Sequence, residues 1–283
     1  MLRLNIPCQG CLSNRQLKSG TQPTPNFLMF KNDLTFRAPF MNAAGMLGFA
    51  PDPHAEVNST LGEGWYNPGA FVTNPISLRS RRPSAEPGMI QYPGGLLLHT
   101  GLPNPGLSGA IKKYARRWAS TQLPVIIHLM ADRPDETARM VRSLEGLENI
   151  AAIELGFAPL LAADIILMAV EMSLGELPLI VNLPFEQFLS LGPRIIQLGA
   201  AALSFAAPRG ALPAEAGSQT ESALTTGRLY GPSLFPQSLS LLCSATRLGL
   251  PVIGGVGIYN REQAGAMLAC GALAVQIDTV LWK

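Results

Sequence analysis

The sequence predicts a closed (β/α)8 barrel. Three features of its 283 residues carry that reading. Eight short apolar runs alternate with helix-like runs, as parallel strands joined by helical crossovers do. The runs are apolar almost throughout, which suits strands buried on both faces. Eight such repeats spread over about 250 residues match the usual size of a barrel of this kind. An open doubly wound sheet is the alternative fold.

Residues 1–26 read as an N-terminal extension and 27–283 as the barrel. "FLMFKNDLTF" (27–36) places two apolar runs around Lys31-Asn32-Asp33 and predicts a hairpin that plugs the barrel bottom. The eight strands are expected at "APFMNAAG" (38–45), "AFVTN" (70–74), "PVIIHL" (124–129), "AAIEL" (151–155), "PLIVNL" (178–183), "AALSF" (201–205), "PVIGG" (251–255) and "LAVQI" (273–277). "RPDETARMVRSLEGL" (133–147) opens with Pro134 and acids, which suit the positive end of a helix. "NREQAGAMLACGA" (260–272) opens on Asn260 as its cap and ends near Gly271. Two long connections, Arg79–Pro105 and Ala206–Gly227, follow strands and so belong at the C-terminal rim, where barrel active sites lie.

Composition narrows the function. Charged residues make up 14% of the chain, against roughly 25% in ordinary soluble domains. Net charge is +2, without a dense run of Lys or Arg, so nucleic acid is excluded as the main partner. No stretch of about 20 apolar residues spans a membrane, and the N-terminus lacks a signal-peptide core. A cytoplasmic protein with covered surface is expected, either a homo-oligomer or one subunit among others. The segment 159–177, with Asp164, Glu171 and Glu176 as its charges, is apolar on more than one face. Another chain covers it, or it is simply a hydrophobic surface helix. Cys8 and Cys11 form a CxxC, while Cys243 and Cys270 lie in helix-like segments. Free thiols are the expectation, with a redox or metal role for Cys8/Cys11 as the alternative. No metal-ligand spacing recurs.

The stretch "VIGGVGIYN" (252–260) carries the functional question. Its glycines let backbone N–H groups approach an anion, and the helix after it turns its positive end the same way. Following the seventh strand, it occupies the usual phosphate position of such barrels. Glycines needed only for tight turning are the alternative. Asp278, after the eighth strand, is the wrong side chain to find beside a phosphate.

Several segments in order resemble the dihydroorotate dehydrogenase family of FMN-dependent barrels: "APFMNAAG", "GAFVTNPISLRSRRP", "GLPNPG" (101–106), "GRLYGPSLFPQSL", "LPVIGGVGI" and "GALAVQIDTVLW". The resemblance runs from Leu28 to Trp282. It implies FMN across the barrel mouth, with Ala43, Ala44, Gly45, Gly255, Val256, Gly257 and Thr279 as the positions that would touch it. It also implies polar residues that this chain lacks. The family's two lysines fall on Asn74 and Asn182. Its asparagines fall on Leu98 and His128. The loop that carries its base reads "ELGFAPLL" (154–161), with Gly156, Ala158, Pro159 and Leu161 in place of polar residues. Its Asn-Thr pair is Ala207-Pro208, its Ser-Gly pair Tyr230-Gly231, and its Gly-Thr pair Asp278-Thr279.

A reduced flavin needs cationic or hydrogen-bonding neighbours, and its substrate needs a base. The expectation is therefore a pseudoenzyme: a barrel without catalytic residues, with FMN absent or weakly held, serving as an assembly subunit. A divergent FMN oxidoreductase using His128 or His99, and a non-redox binder of a phosphorylated ligand, are the competing readings. Asp132, Arg209 and the cluster Arg79, Arg81, Arg82 complete the rim residues able to act, with no metal site among them.

Overall fold

The computed structural model describes residues 34–52, 65–84, 88–213 and 224–282. Cys8 and Cys11 and the first arm of the expected hairpin lie outside these residues. Of its second arm, Leu34 and Phe36 form no strand but pack against the apolar interior of the barrel.

All eight expected strands form. β1 (Phe40–Asn42) and β2 (Phe71–Val72) come first. A hairpin of β3 (Gly88–Tyr92) and β4 (Gly95–His99) follows, then α1 (Gly106–Ser120). Three βα units come next, β5 (Val125–Ala131) with α2 (Pro134–Arg142), β6 (Ile150–Phe157) with α3 (Ala163–Ser173) and β7 (Leu179–Leu183) with α4 (Phe185–Leu198), and then β8 (Ala202–Phe205). β8 leads into β9 (Arg209–Pro213), β10 (Leu224–Tyr230) and α5 (Phe235–Arg247). β11 (Val252–Gly254), α6 (Arg261–Ala269) and β12 (Ala274–Ile277) complete the chain's regular elements.

The parallel strands run β1-β12-β11-β8-β7-β6-β5-β2, and a single bridge from Met41 to Ala70 brings β1 back to β2. That seam has too few backbone pairs of its own. Asn42 supplies the missing ones: its Nδ2 donates to Val72 O at 2.6 Å and its Oδ1 accepts from Val72 N at 3.0 Å. An amide side chain here does what a further ladder step would do.

The interior is layered by strand alternation. Ile126, Ala152, Ile180, Ala202, Ile253 and Ala274, all fully buried, form an apolar plug in which large and small side chains alternate around the barrel. Two residues further along their strands stand His128, Glu154, Asn182, Ser204 and Gln276, also buried. The residues between, such as Ile127, Ile153, Val181 and Leu203, face the helices and join the larger core.

The two long rim connections meet. β3, β4, β10 and β9 form one antiparallel sheet, in that order, over the C-terminal rim. Asn260 caps α6 as expected, its Oδ1 accepting from Gln263 N at 2.9 Å. One expectation needs correcting. Cys243 and Cys270 are not free thiols but a disulfide, with Cα atoms 5.4 Å apart. α5 and the end of α6 pack side by side, which brings two cysteines 27 residues apart within bonding reach.

Candidate functional site

Glu154, on β6, is the centre of the mouth. Its carboxylate is fully buried and accepts three hydrogen bonds. His128 Nδ1 lies 2.6 Å from Oε2; Ser204 Oγ and Gln276 Nε2 donate to Oε1 at 2.6 Å and 2.7 Å. Asn182 Nδ2 donates to Ser204 Oγ at 3.0 Å, extending the network to β7. Burial pushes the Glu154 carboxyl up, but the His128 hydrogen bond and charge, with the Ser204 and Gln276 bonds, outweigh it. The net pKa lies below the ordinary value.

His128 is held from three sides. Its backbone N donates to Thr73 Oγ1 at 3.0 Å, its ring bonds Glu154, and its Nε2 lies against Gly156. A Cβ on Gly156 would sit 2.3 Å from that nitrogen, so only glycine fits. Ionised Glu154 accepts from Nδ1–H, which leaves Nε2 as the ring nitrogen turned toward Gly156. Strand-end position points to His128 in the sequence. Nothing there singles out Glu154, Ser204 or Gln276 by motif. Their signal is positional: each is one polar residue in the middle of an otherwise apolar strand, in phase with His128.

The glycine turn is tied up internally. Gly257 N donates to Asp278 Oδ2 at 3.0 Å, where a phosphate oxygen would accept the same bond. Thr279 Oγ1 pairs with Tyr259 OH at 2.5 Å and with Asp278 Oδ1 at 3.3 Å. Ser238 Oγ bonds Gly255 O. Between these clamps Val256 takes φ +66°, a left-handed conformation that a β-branched residue holds only under constraint. Burial raises the Asp278 carboxyl to about 6, against the bonds from Gly257 and Thr279, which lower it.

Space around these groups is unequal. A cleft of about 20 Å³ separates Ala43, Ala44, Asn182, Tyr230, Gln276 and Asp278. The Tyr230 side chain fills the mouth there and is buried. Above it, two larger cavities open under the rim sheet. One of about 440 Å³ is lined by Gly45, Asn74, His99 and Tyr230 among others. The other, of about 310 Å³, is lined by His128, Asp132, Gly156 and Pro159 among others. Arg81, Arg209 and Arg228 line both. His99 and His128 therefore stand in different lobes. Asn74 is spent on structure: its Oδ1 accepts from Gly48 N at 3.0 Å. Among the described residues no group of three His, Cys, Asp or Glu side chains is placed to hold a metal ion.

Comparison with known proteins agrees with the fold. The family model described as Dihydroorotate dehydrogenase matches residues 30–158. The chain is 28% identical over 264 residues to the catalytic subunit of dihydroorotate dehydrogenase B (NAD(+)) from Trichlorobacter lovleyi, covering 87% of this chain and 84% of that protein. It is 26% identical to the protein of the same description from Pelobacter propionicus, at the same coverage. With the one from Geotalea daltonii it shares 24% identity over 90% of this chain and 87% of the other.

Proposed function

We propose that the chain is a divergent member of the dihydroorotate dehydrogenase family, whose model matches residues 30–158, that it has given up the flavin reaction, and that it works as a non-catalytic barrel subunit of a larger assembly. The observation that carries this reading is the Asp278 carboxylate on Gly257 N–H. The side chain takes a backbone N–H that a phosphate at this turn would use, and its charge would repel one.

Two further features support it. The cleft beside Asp278 is narrow: about 20 Å³ lies between Asn182, Tyr230, Gln276 and Asp278, while the cavity of about 440 Å³ that also borders Tyr230 is walled by Asn74 and Leu98 instead of cationic groups at the flavin positions. Asn182 stands where the family has a lysine, and it hydrogen-bonds Ser204 instead of facing a ligand. Losing one donor of the kind that stabilises developing negative charge costs about 10²–10³ in rate. A non-redox phosphate site at the glycine turn meets the same obstacle, because its donor is already taken.

The subunit role rests on the exterior. α3 buries Ile166, Ala169 and Val170 but leaves Met168 and Met172 exposed, and α4, packed beside it, leaves Leu189 exposed. A charge-poor surface with such a patch fits a protein contact. The relatives are each named as one subunit of an enzyme, and the proposal extends a subunit role, not their catalysis, to this chain. No helix among the described residues is long and apolar enough to cross a membrane; cytoplasmic residence belongs to the proposal.

The test has two readouts. Purified chain supplied with FMN and an electron acceptor is expected to leave dihydroorotate unoxidised, and its native mass to exceed that of the 30.1 kDa chain. Turnover at about 1 s⁻¹ or faster, an ordinary enzyme rate, would overturn the loss of catalysis. A monomer that binds no other protein would overturn the subunit role.

A further inference from the structure

Three arginines converge where the rim sheet crosses the mouth. Arg209 on β9 and Arg228 on β10 are direct cross-strand partners. Like charges facing each other across an antiparallel pair are destabilising. Arg81 joins them from the loop after β2. Its backbone bridges to Asn104, its Nε donates to Gly101 O at 3.3 Å, and its side chain lines the same two cavities.

Among the described residues no carboxylate forms an ion pair with them, and Asp132 is the carboxylate that shares the smaller cavity's wall with them. Among the described residues the ion pairs are His128 with Glu154, and Arg133 with Asp135 and Glu136. Burial, and then the Arg228 charge, press the Arg209 guanidinium below its ordinary pKa. Leu98, Leu102 and Pro103 give the larger cavity apolar wall beside the charges. Cavities of about 440 and 310 Å³ are of the size that holds small molecules.

We propose that the mouth of this barrel binds a small organic polyanion through Arg81, Arg209 and Arg228, above the His128–Glu154 pair. Guanidinium forks match the paired oxygens of carboxylate and phosphate groups. The apolar wall takes the carbon skeleton, and the bound charges relieve the repulsion between the arginines. This site is separate from the glycine turn. It requires neither a flavin nor a partner chain, so it goes beyond the function proposed above.

Calorimetric titration of the full chain at low salt tests it, with citrate, succinate, fructose 1,6-bisphosphate and inorganic phosphate as probes. At least one organic polyanion is expected to bind at one site per chain, about tenfold or more tighter than inorganic phosphate. Tightest binding by citrate identifies carboxylates as the recognised groups; tightest binding by the bisphosphate identifies phosphates. Arg209→Gln and Arg228→Gln should each weaken binding about tenfold or more, as loss of a charge-assisted hydrogen bond does. Arg82→Gln, in the same loop as Arg81 but outside both cavities, should bind as the parent does. Without ligand, Arg209→Gln should melt no lower than the parent, because it removes a repulsive contact; this separates lost binding from lost folding. No heat with any probe, binding of inorganic phosphate alone, or equal affinity in Arg209→Gln and Arg82→Gln would overturn the proposal.

Discussion

At the scale of single residues, two buried carboxylates give the protein opposite responses to pH. Asp278 has a folded pKa of about 6, raised from 3.8 by burial. Between those values the folded chain keeps a proton that the unfolded chain has lost, so stability from this group falls as pH rises from about 4 to about 6. The shift corresponds to roughly 3 kcal/mol. Glu154 moves the other way: its folded pKa is depressed, so its contribution is present above the unfolded value and is lost as pH falls through the folded one. Asp278→Asn should therefore flatten the decline in melting temperature between pH 4 and 6, and leave the acid limb intact. Denaturation curves across that range check this, and an unchanged decline would contradict it. Glu154→Gln should lower stability by about 2–4 kcal/mol, because its amide oxygen can still accept from Ser204 and Gln276 but its NH2 then faces His128 Nδ1, where the carboxylate accepted, and the buried charge-assisted bond is lost. Gly156→Ala should displace His128, since the new Cβ would meet its ring at 2.3 Å. The His128 ring resonances and the melting temperature report it, with an overpacking cost of about 1–3 kcal/mol.

At the scale of elements, the disulfide staples α5 to the end of α6. Closing a loop of 27 residues removes unfolded-chain entropy worth about 3.5 kcal/mol in the chain-entropy account. Peptide mapping without reductant should recover the Cys243 and Cys270 peptides linked, and reduction should lower the melting temperature; alkylation of both without reductant would contradict the bond. The sequence shows two cysteines among Leu, Met and Ala. It does not show that their helices lie side by side, and disulfide pairing depends on that. The rim sheet has the same cause. The connections 79–105 and 206–227 read as long loops, because β3, β4, β9 and β10 pair only with each other, across more than 100 residues of chain. Barrel strands were legible for the opposite reason. Each is an apolar run with helical neighbours, and its burial is written into its composition. Asn260 was legible too, since a cap acts through local backbone.

At the scale of the whole molecule, the barrel is similar in fold to its dihydroorotate dehydrogenase relatives, and the proposal turns on what fills its mouth. Its apolar plug is intact from Ile126 to Ala274. The layer above the plug holds a histidine, a glutamate and amides that satisfy one another. That mutual satisfaction could not be read from the chain, because it joins residues of β5, β6, β7, β8 and β12. What the sequence did show was Asn74 and Asn182 at positions where the resembled family has lysines, and Asp278 close to the glycine turn in the barrel order. It did not show which way Asp278 faces, and that direction decides between an open cradle and a closed one. The measurement that tests this most directly is the visible absorption spectrum of the gently purified protein, before and after added FMN and gel filtration. The account predicts no flavin absorbance in either sample. A yellow protein retaining one FMN per chain would contradict it.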